Sequence, residues 1–256
     1  MSAAGDDFAV CLDFAVELAW RAGRTTLAWF QNQVVAETKA DGSPVTAADR
    51  AAEQFCRELI RKRYPRDGIL GEEFGEERPG ARRRWILDPI DGTRSFVRGV
   101  PLYGVLIALE EDSVPVLGVI HLPGLDESVY AARGLGCWWD GRRARVSEVA
   151  ELSGALFLTT DFWKLPPAVR DRVDSACALT RTWGDCYAYA MVATGRAEIA
   201  VDPVMAIWDA AALQPIIEEA GGCFTDFGGE STHTGGSVIA TNAVLAEAAR
   251  GLLRAD

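Results

Sequence analysis

The chain has 256 residues, 49% of them hydrophobic, enough to bury a sizeable core in one large or two small packed domains. Its formal net charge of -11 would repel a nucleic-acid backbone, which a binder must neutralise with clustered cations, so nucleic acid is excluded as a partner. Asp6 and Asp7 stand where a secretory leader is basic, and no apolar run approaches a bilayer span, so a cytoplasmic protein with no membrane partner is expected.

From Asp7 to about Gln33, apolar residues such as Phe8, Cys11, Leu12, Ala15, Leu18 and Ala22 recur at helical spacing and predict one long helix. A break follows at Lys39-Ala-Asp-Gly-Ser-Pro44. Thr46 with Asp49 three residues on has the capping-box spacing, and it opens a second helix that runs toward Tyr64 and stops at Pro65. Gly68–Gly71 and Trp85–Asp88 are short apolar runs bounded by turn residues, while 103–110 and 114–121 are longer and strand-like, and Trp138-Trp-Asp-Gly141 closes this sheet region with a turn. Beyond about Val146 strands and helices alternate: strand at 155–159, helix at 184–194, strand at 197–201, helix at 207–220 with a kink expected at Pro215. The chain thus divides into an N-terminal α+β half, 1–146, and a C-terminal α/β half, 147–256. The basic runs Arg61-Lys62-Arg63 and Arg82-Arg83-Arg84 read as solvated helix ends or loops. Six cysteines with no C-x-x-C pair, most in apolar periodic stretches, read as reduced core residues.

The chemistry centres on Asp88-Pro89-Ile90-Asp91-Gly92-Thr93. Pro89 cannot donate to a ladder, so the strand is expected to end there and both carboxylates can face one point. Gly92 lets backbone approach a ligand, and Thr93 to Val97 can begin a helix whose free N–H groups receive an anion. Carboxylates and carbonyls are hard oxygen ligands suited to magnesium, whereas His121 and His233 lack zinc-site spacing. Glu72 and Glu73 after Gly71, and Asp209 after Trp208, are further acidic candidates. Taken singly, the glutamates read as a charged loop and Asp209 as a helix cap. No Gly-x-Ser-x-Gly, histidine-based triad or nucleotide P-loop is present, and Cys186 has no basic neighbour that would activate its thiol.

Together these pieces resemble the inositol monophosphatase family. Asp41-Gly-Ser-Pro-Val-Thr-Ala-Ala-Asp49, Gly71-Glu-Glu73, Trp85 to Thr93 and Trp208-Asp209 occur in family order across nearly the whole chain. The resemblance implies a layered αβαβα sugar-phosphatase-type fold with two closely packed halves, a homodimer, and a magnesium-dependent phosphomonoesterase. It implies that Glu72, Asp88 and the Ile90 carbonyl hold one metal and Asp88, Asp91 and Asp209 a second. It further implies that Gly92 and Thr93 bind phosphate, and that Thr93, Asp49 and Glu72 orient and activate the attacking water, with Glu73 a neighbour. Two such ions about 4 Å apart clamp entering and leaving oxygens. Arg94-Ser95 departs from the family's usual Asn before the aromatic residue, here Phe96, and either reshapes the loop or adds positive charge near phosphate.

Segments 183–203, 208–222 and 235–242 resemble the family's histidinol-phosphatase branch, which implies hydrolysis of L-histidinol phosphate in histidine synthesis. An anionic rim would discriminate a leaving group carrying ammonium and imidazole from a polyol. Asp185 and Asp202 are the candidate readers, with Arg181 able to pair with one of them; read locally, Asp185 is a helix cap and Asp202 a strand end. Trp183 and Trp208 read as core residues. The competing readings are an inositol-1-phosphate phosphatase and a non-catalytic anion-binding protein on the same fold.

Overall fold

Helical periodicity near the N-terminus becomes α1 (Ala3–Leu27) in the computed structural model, which describes residues 3–32, 35–38 and 44–254. The helix stops short of Gln33. Thr25 and Thr26 turn their hydroxyls onto the carbonyls of Arg21 and Gly23, at 3.3 and 2.8 Å, a competition that weakens the last turn. Gln31 then takes a left-handed φ of 61°. The break at Lys39 to Ser43, with the Asp41–Ser43 part of the first motif, lies outside the described residues, between β1 (Glu37–Thr38) and β2 (Pro44–Val45). In α2 (Ala47–Arg63) the capping box forms as read: Thr46 Oγ1 accepts from Ala48 N–H at 3.1 Å, and Asp49 Oδ2 accepts from Thr46 N–H at 2.8 Å.

The first sheet follows in β3 (Gly68–Gly71), β4 (Gly75–Glu77), β5 (Arg83–Asp91), then, past the short helix α3 (Thr93–Val97), β6 (Gly104–Glu111), β7 (Val114–Leu122), β8 (Glu127–Ala132), β9 (Gly136–Trp139) and β10 (Arg142–Arg143). The sequence reading assigned nothing to β8, whose Glu-Ser-Val-Tyr-Ala-Ala has no clean alternation. The strands lie in the order β10-β9-β8-β7-β6-β5-β3-β4, and only β3 and β5 run parallel. Arg83 and Arg84 are not a loop. They form the first rungs of β5 opposite Glu111 and Glu110, and Arg84 Nη2 lies 2.8 Å from Glu110 Oε2.

The second sheet is built from β11 (Leu156–Leu158), then, after α4 (Pro167–Ala176), β12 (Leu179–Arg181), then, past α5 (Asp185–Ala193), β13 (Ile199–Asp202). After α6 (Ile207–Ala210) and α7 (Leu213–Glu219) come β14 (Gly222–Thr225) and β15 (Val238–Asn242), and α8 (Ala246–Leu253) ends the described chain. The order is β12-β11-β13-β15-β14, with β11 parallel to both its neighbours. Three main cores join five layers, the second filling both faces of the middle one. Cys11, Leu18 and Ile60 of α1 and α2 meet Trp85, Leu87 and Ile107. Ile86, Leu106 and Ile120, on the opposite face of that sheet, meet Val192, Leu213 and Ile216 of the middle helices, with Leu158 and Ala240 beyond. Phe157, Ile199 and Val201 meet Val169, Val173 and Ala249 of the last layer. The αβαβα arrangement follows, built of an α+β chain. The described residues contain no helix long and apolar enough to cross a membrane. All six cysteines are free, four of them buried.

The kink expected at Pro215 lies upstream of it, where α6 and α7 separate at Ala211-Ala212. Pro215 has no N–H to offer the carbonyl four residues before it, so the ladder fails at that carbonyl. The next carbonyl, that of Ala212 at the break, lies against β7, where a Cβ at Gly118 would lie 2.0 Å from its oxygen. Replacing Gly118 with Ala should therefore destabilise the fold by about 1–3 kcal/mol, as overpacking does, read as a lower urea midpoint at unchanged slope; wild-type stability would mean the helix pair is not seated on β7.

Candidate active site

The parallel register of β3 on β5 places Gly71 opposite Leu87, so the residues that follow, Glu72 and Asp88, emerge side by side. Glu72 N–H donates to the Leu87 carbonyl at 3.2 Å. Alternation along β5 sends Trp85 and Leu87 toward the outer helices and Ile86 toward the middle layer, and Asp88 follows Ile86. An unbroken strand would then point Asp88 and Asp91 to opposite faces. The strand does not end at Pro89 as read from sequence. It continues to Asp91 through a bulge, with Asp88 paired to Leu106 and Asp91 to Gly104, so that Pro89 and Ile90 stand against Val105 alone. The missing N–H of Pro89 falls where pairing is interrupted, and Ile90 N–H turns back to Asp88 Oδ1 at 3.0 Å.

Asp209 arrives on the first turn of α6, where its Oδ2 accepts from Ala206 N–H at 2.9 Å. It caps the helix and also joins the cluster: carboxylate oxygens of Asp88, Asp91 and Asp209 all lie within 4.8 Å of one another. Asp88 is 2% exposed. Burial, followed by the charges of Glu72, Asp91 and Asp209, holds its carboxyl well above the usual range. Burial and then Asp185 and Asp209 do the same to Asp91, although Cys186 N–H donates to its Oδ2. Such a set of oxygen donors fits a hard divalent cation, whose charge would relieve the repulsion.

Asp49 is fully buried, and burial raises its pKa to about 6 against the opposing hydrogen bonds from Thr46. Its Oδ2 is taken by Thr46, whereas its Oδ1 has no partner. Ala48 beside it packs with Ile90 and Phe96, which brings this helix start against the aspartate bulge. Thr93 Oγ1 donates to the Ile90 carbonyl at 3.0 Å, leaving hydroxyl lone pairs for a further partner.

A cleft of about 570 Å³ is lined by Glu72, Gly92, Thr93, Arg94, Thr160, Thr182, Trp183 and Asp185, among others. A recess of about 90 Å³ has Asp91, Asp185, Asp202, Asp209 and Lys164 in its wall. Asp185 belongs to both. It heads α5 in the left-handed region, φ 50°, a conformation that Asp tolerates and that recurs at functional sites. Its N–H is fixed on Thr160 Oγ1 at 2.9 Å, and a Cβ at Gly92 would lie 3.0 Å from its Oδ2. Burial, then Asp202 and Asp209, raises its pKa to about 7, against the opposing charge of Arg94.

Asp202 and Arg181 stand differently from the sequence expectation. Asp202 lines the recess, but Oδ1 accepts from Thr160 N–H at 2.9 Å and from Thr159, and Oδ2 from the Tyr189 hydroxyl at 3.0 Å, so its oxygens serve the protein. Arg181, exposed on the edge strand β12, lines neither space and donates to the Thr180 carbonyl, pairing with neither aspartate. Trp183 is not core: it is 39% exposed in the cleft wall. Trp208 does pack against the central core. Thr160, which ties Asp185 and Asp202 together, was missed in the sequence; its signal is a polar pair, Thr159-Thr160, at the carboxyl end of a strand in an α/β unit. Arg94 faces the cleft, which favours added charge over loop reshaping as the result of its departure from the family pattern.

Comparison with known proteins bears on what this arrangement does. The model of the inositol monophosphatase family matches residues 7–255. A histidinol-phosphatase of Chlorobaculum parvum is 47% identical over 240 residues, covering 91% of this chain and 93% of its own. One of Mycobacterium tuberculosis is 44% identical, covering 82% and 84%. Among solved structures, an inositol monophosphatase from Zymomonas mobilis superposes with a TM-score of 0.86 at 37% identity, covering 99% of both chains.

The electrostatics give a test that needs no substrate. Acids whose folded pKa is raised lie above their unfolded values near 4, so the folded state binds more protons in between, and stability falls as pH rises through that window. With Asp49 at about 6 and Asp185 at about 7, metal-free protein should melt at progressively lower temperature from about pH 5 to 8. Magnesium should restore the loss. Asp88→Asn should raise the metal-free melting temperature at the upper end of this range; a lower one would show that the cluster is not under repulsion.

Proposed function

As this chain belongs to the inositol monophosphatase family and is a phosphoric monoester hydrolase, we propose that it hydrolyses L-histidinol phosphate to L-histidinol and phosphate with magnesium as cofactor, by in-line attack of an activated water. What supports the substrate is Asp185, a carboxylate set in the cleft wall against Gly92, together with the two histidinol-phosphatase relatives. A phosphate held at Gly92 and Thr93 would direct its leaving group along the same wall. A cationic ammonium or imidazolium there favours the ionised form of Asp185 and gains a charge-assisted hydrogen bond, and a polyol gives neither.

Glu72, Asp88 and the Ile90 carbonyl would hold one magnesium ion and Asp88, Asp91 and Asp209 a second; when bound, they supply positive charge and Lewis acidity to the phosphate and the attacking water. The chain does the rest. Gly92, at a left-handed φ of 85°, turns β5 into α3 and presents backbone N–H groups to phosphate oxygens. Thr93, anchored on the Ile90 carbonyl, and Asp49, with its unpartnered Oδ1, orient the water with Glu72 and accept its proton. Arg94 adds a positive charge at the cleft wall. Asp202 acts through Thr160, which it holds in place to fix Asp185. Acting on this substrate, the enzyme would serve the penultimate step of histidine synthesis, and a homodimer is part of the same proposal.

Phosphate release from histidinol phosphate and from inositol-1-phosphate, measured side by side with and without magnesium, tests the reading: a kcat/KM preference for the first, dependent on magnesium, is expected. Preference for inositol-1-phosphate would return Asp185 to a capping role, and no metal-dependent release from either would leave an anion-binding protein. Asp88→Asn should reduce turnover by more than about a hundredfold, beyond the loss from removing an outer partner of a ligand, with an unchanged circular dichroism spectrum. Asp185→Ala should raise KM for histidinol phosphate by about tenfold or more, the value of one hydrogen bond to a charged group, and KM for an uncharged-alcohol phosphate much less; equal changes would argue for a cap.

A further inference from the structure

Helix α2 buries charged residues at intervals of four, Asp49, Glu53 and Arg57, beside its apolar stripe of Ala48, Ala52, Cys56 and Ile60. Glu53 is fully buried and Arg57 nearly so, and Arg57 Nε donates to Glu53 Oε1 at 2.7 Å. A buried ion pair is weak evidence of stabilisation, because desolvation offsets its attraction. What else the pair touches therefore matters. Glu53 Oε2 accepts from Glu73 N–H at 2.7 Å, and Oε1 accepts from Phe74 N–H at 3.2 Å. Arg57 donates to the Gly75 carbonyl. On the other side of Glu72, a Cβ at Gly71 would lie 2.1 Å from Glu53 Oε1, so the carboxylate rests directly on that backbone. The turn that carries Glu72 is thus bonded on one side to a buried carboxylate and packed against it on the other.

We propose that Glu53 is a positioning residue for Glu72: its carboxylate fixes the backbone on which the Glu72 ligand stands, and Arg57, bonded to Glu53 Oε1 and to the Gly75 carbonyl, holds that carboxylate in place. The inference rests on the reading of Glu72 as a metal ligand. It accounts for a glycine at 71, where a side chain would displace the carboxylate, and for a cation four residues after Glu53. Charge-assisted bonds to backbone N–H groups are short and directional, which suits them to holding a ligand in place. Their loss should leave the ligand present but its position loose.

The test is calorimetric titration of the metal-free protein with magnesium chloride, on variants shown by circular dichroism to be folded at the working temperature. Glu53→Gln keeps the volume but turns an amide donor toward one of the two N–H groups, and it should weaken magnesium binding by about tenfold or more. The magnesium concentration for half-maximal turnover should rise by the same factor, with kcat at saturating magnesium little changed. Gly71→Ala alters no charge and should reproduce the effect by pushing the carboxylate aside, so it decides the matter if Glu53→Gln does not fold. Wild-type magnesium affinity in the folded variant overturns the proposal, as does a loss of kcat with affinity intact. Glu72→Gln separates the two levels: if it binds magnesium as the wild type does, Glu72 is not a ligand and the underlying reading fails, whereas weak binding there with normal binding in Glu53→Gln removes only the role of Glu53.

Discussion

Mutual repulsion among Asp88, Asp91 and Asp209 is the constraint around which the rest of the molecule is arranged. Like charges within 4.8 Å of one another and largely out of water oppose folding, so each must be held by something local. Each receives a backbone N–H: Asp88 from Ile90, Asp91 from Cys186, Asp209 from Ala206. These come from a strand bulge, from the first turn of α5 and from the cap residue before α6, the places in a fold where N–H groups lie free of ladders and helical bonds. The scaffold thus offers partial positive charge, and the proposed cation would complete the compensation.

The same economy extends to the cleft. Acidic groups dominate the recess, while Arg94 and the turn from Gly92 into α3 face the wider space. On the proposed reading, that division would match a phosphate ester with a basic leaving group in both its parts, anion toward N–H groups and cation toward Asp185. Asp185 is kept there by a chain of bonds running through Thr160 to Asp202 and Tyr189, so that a strained residue is held by a buried network.

Features written into a few adjacent residues could be read from the sequence: the Thr46 capping box, the stop at Pro65, the strands at Gly68 and Trp85, and the short helix after Gly92. The paired aspartates were legible because they lie in one hexapeptide, and Glu72 and Asp209 only because a family pattern linked them. What escaped depends on partners distant in the chain. Pro89 says that pairing must fail, but whether the strand stops or bulges is decided by β6. Asp202 resembles a free strand-end carboxylate until Thr159, Thr160 and Tyr189 are brought to it. Glu53 and Arg57 look like a solvated pair on a helix, since only the tertiary fold shows that their face is buried.

Asp88 and Asp91 come from the first sheet, whereas Asp185 and Asp209 come from helices of the middle layer, more distant along the chain and seated against that sheet by the Ala212–Gly118 contact. Neither group of residues encloses the cleft without the other. During synthesis, the strands that carry the first two aspartates emerge well before their counterparts, and a chain at that stage has carboxylates but no cleft wall to aim a substrate. The site as proposed is therefore assembled only when the middle helices dock against the first sheet, which makes its completion a consequence of tertiary packing and not of any one stretch of chain.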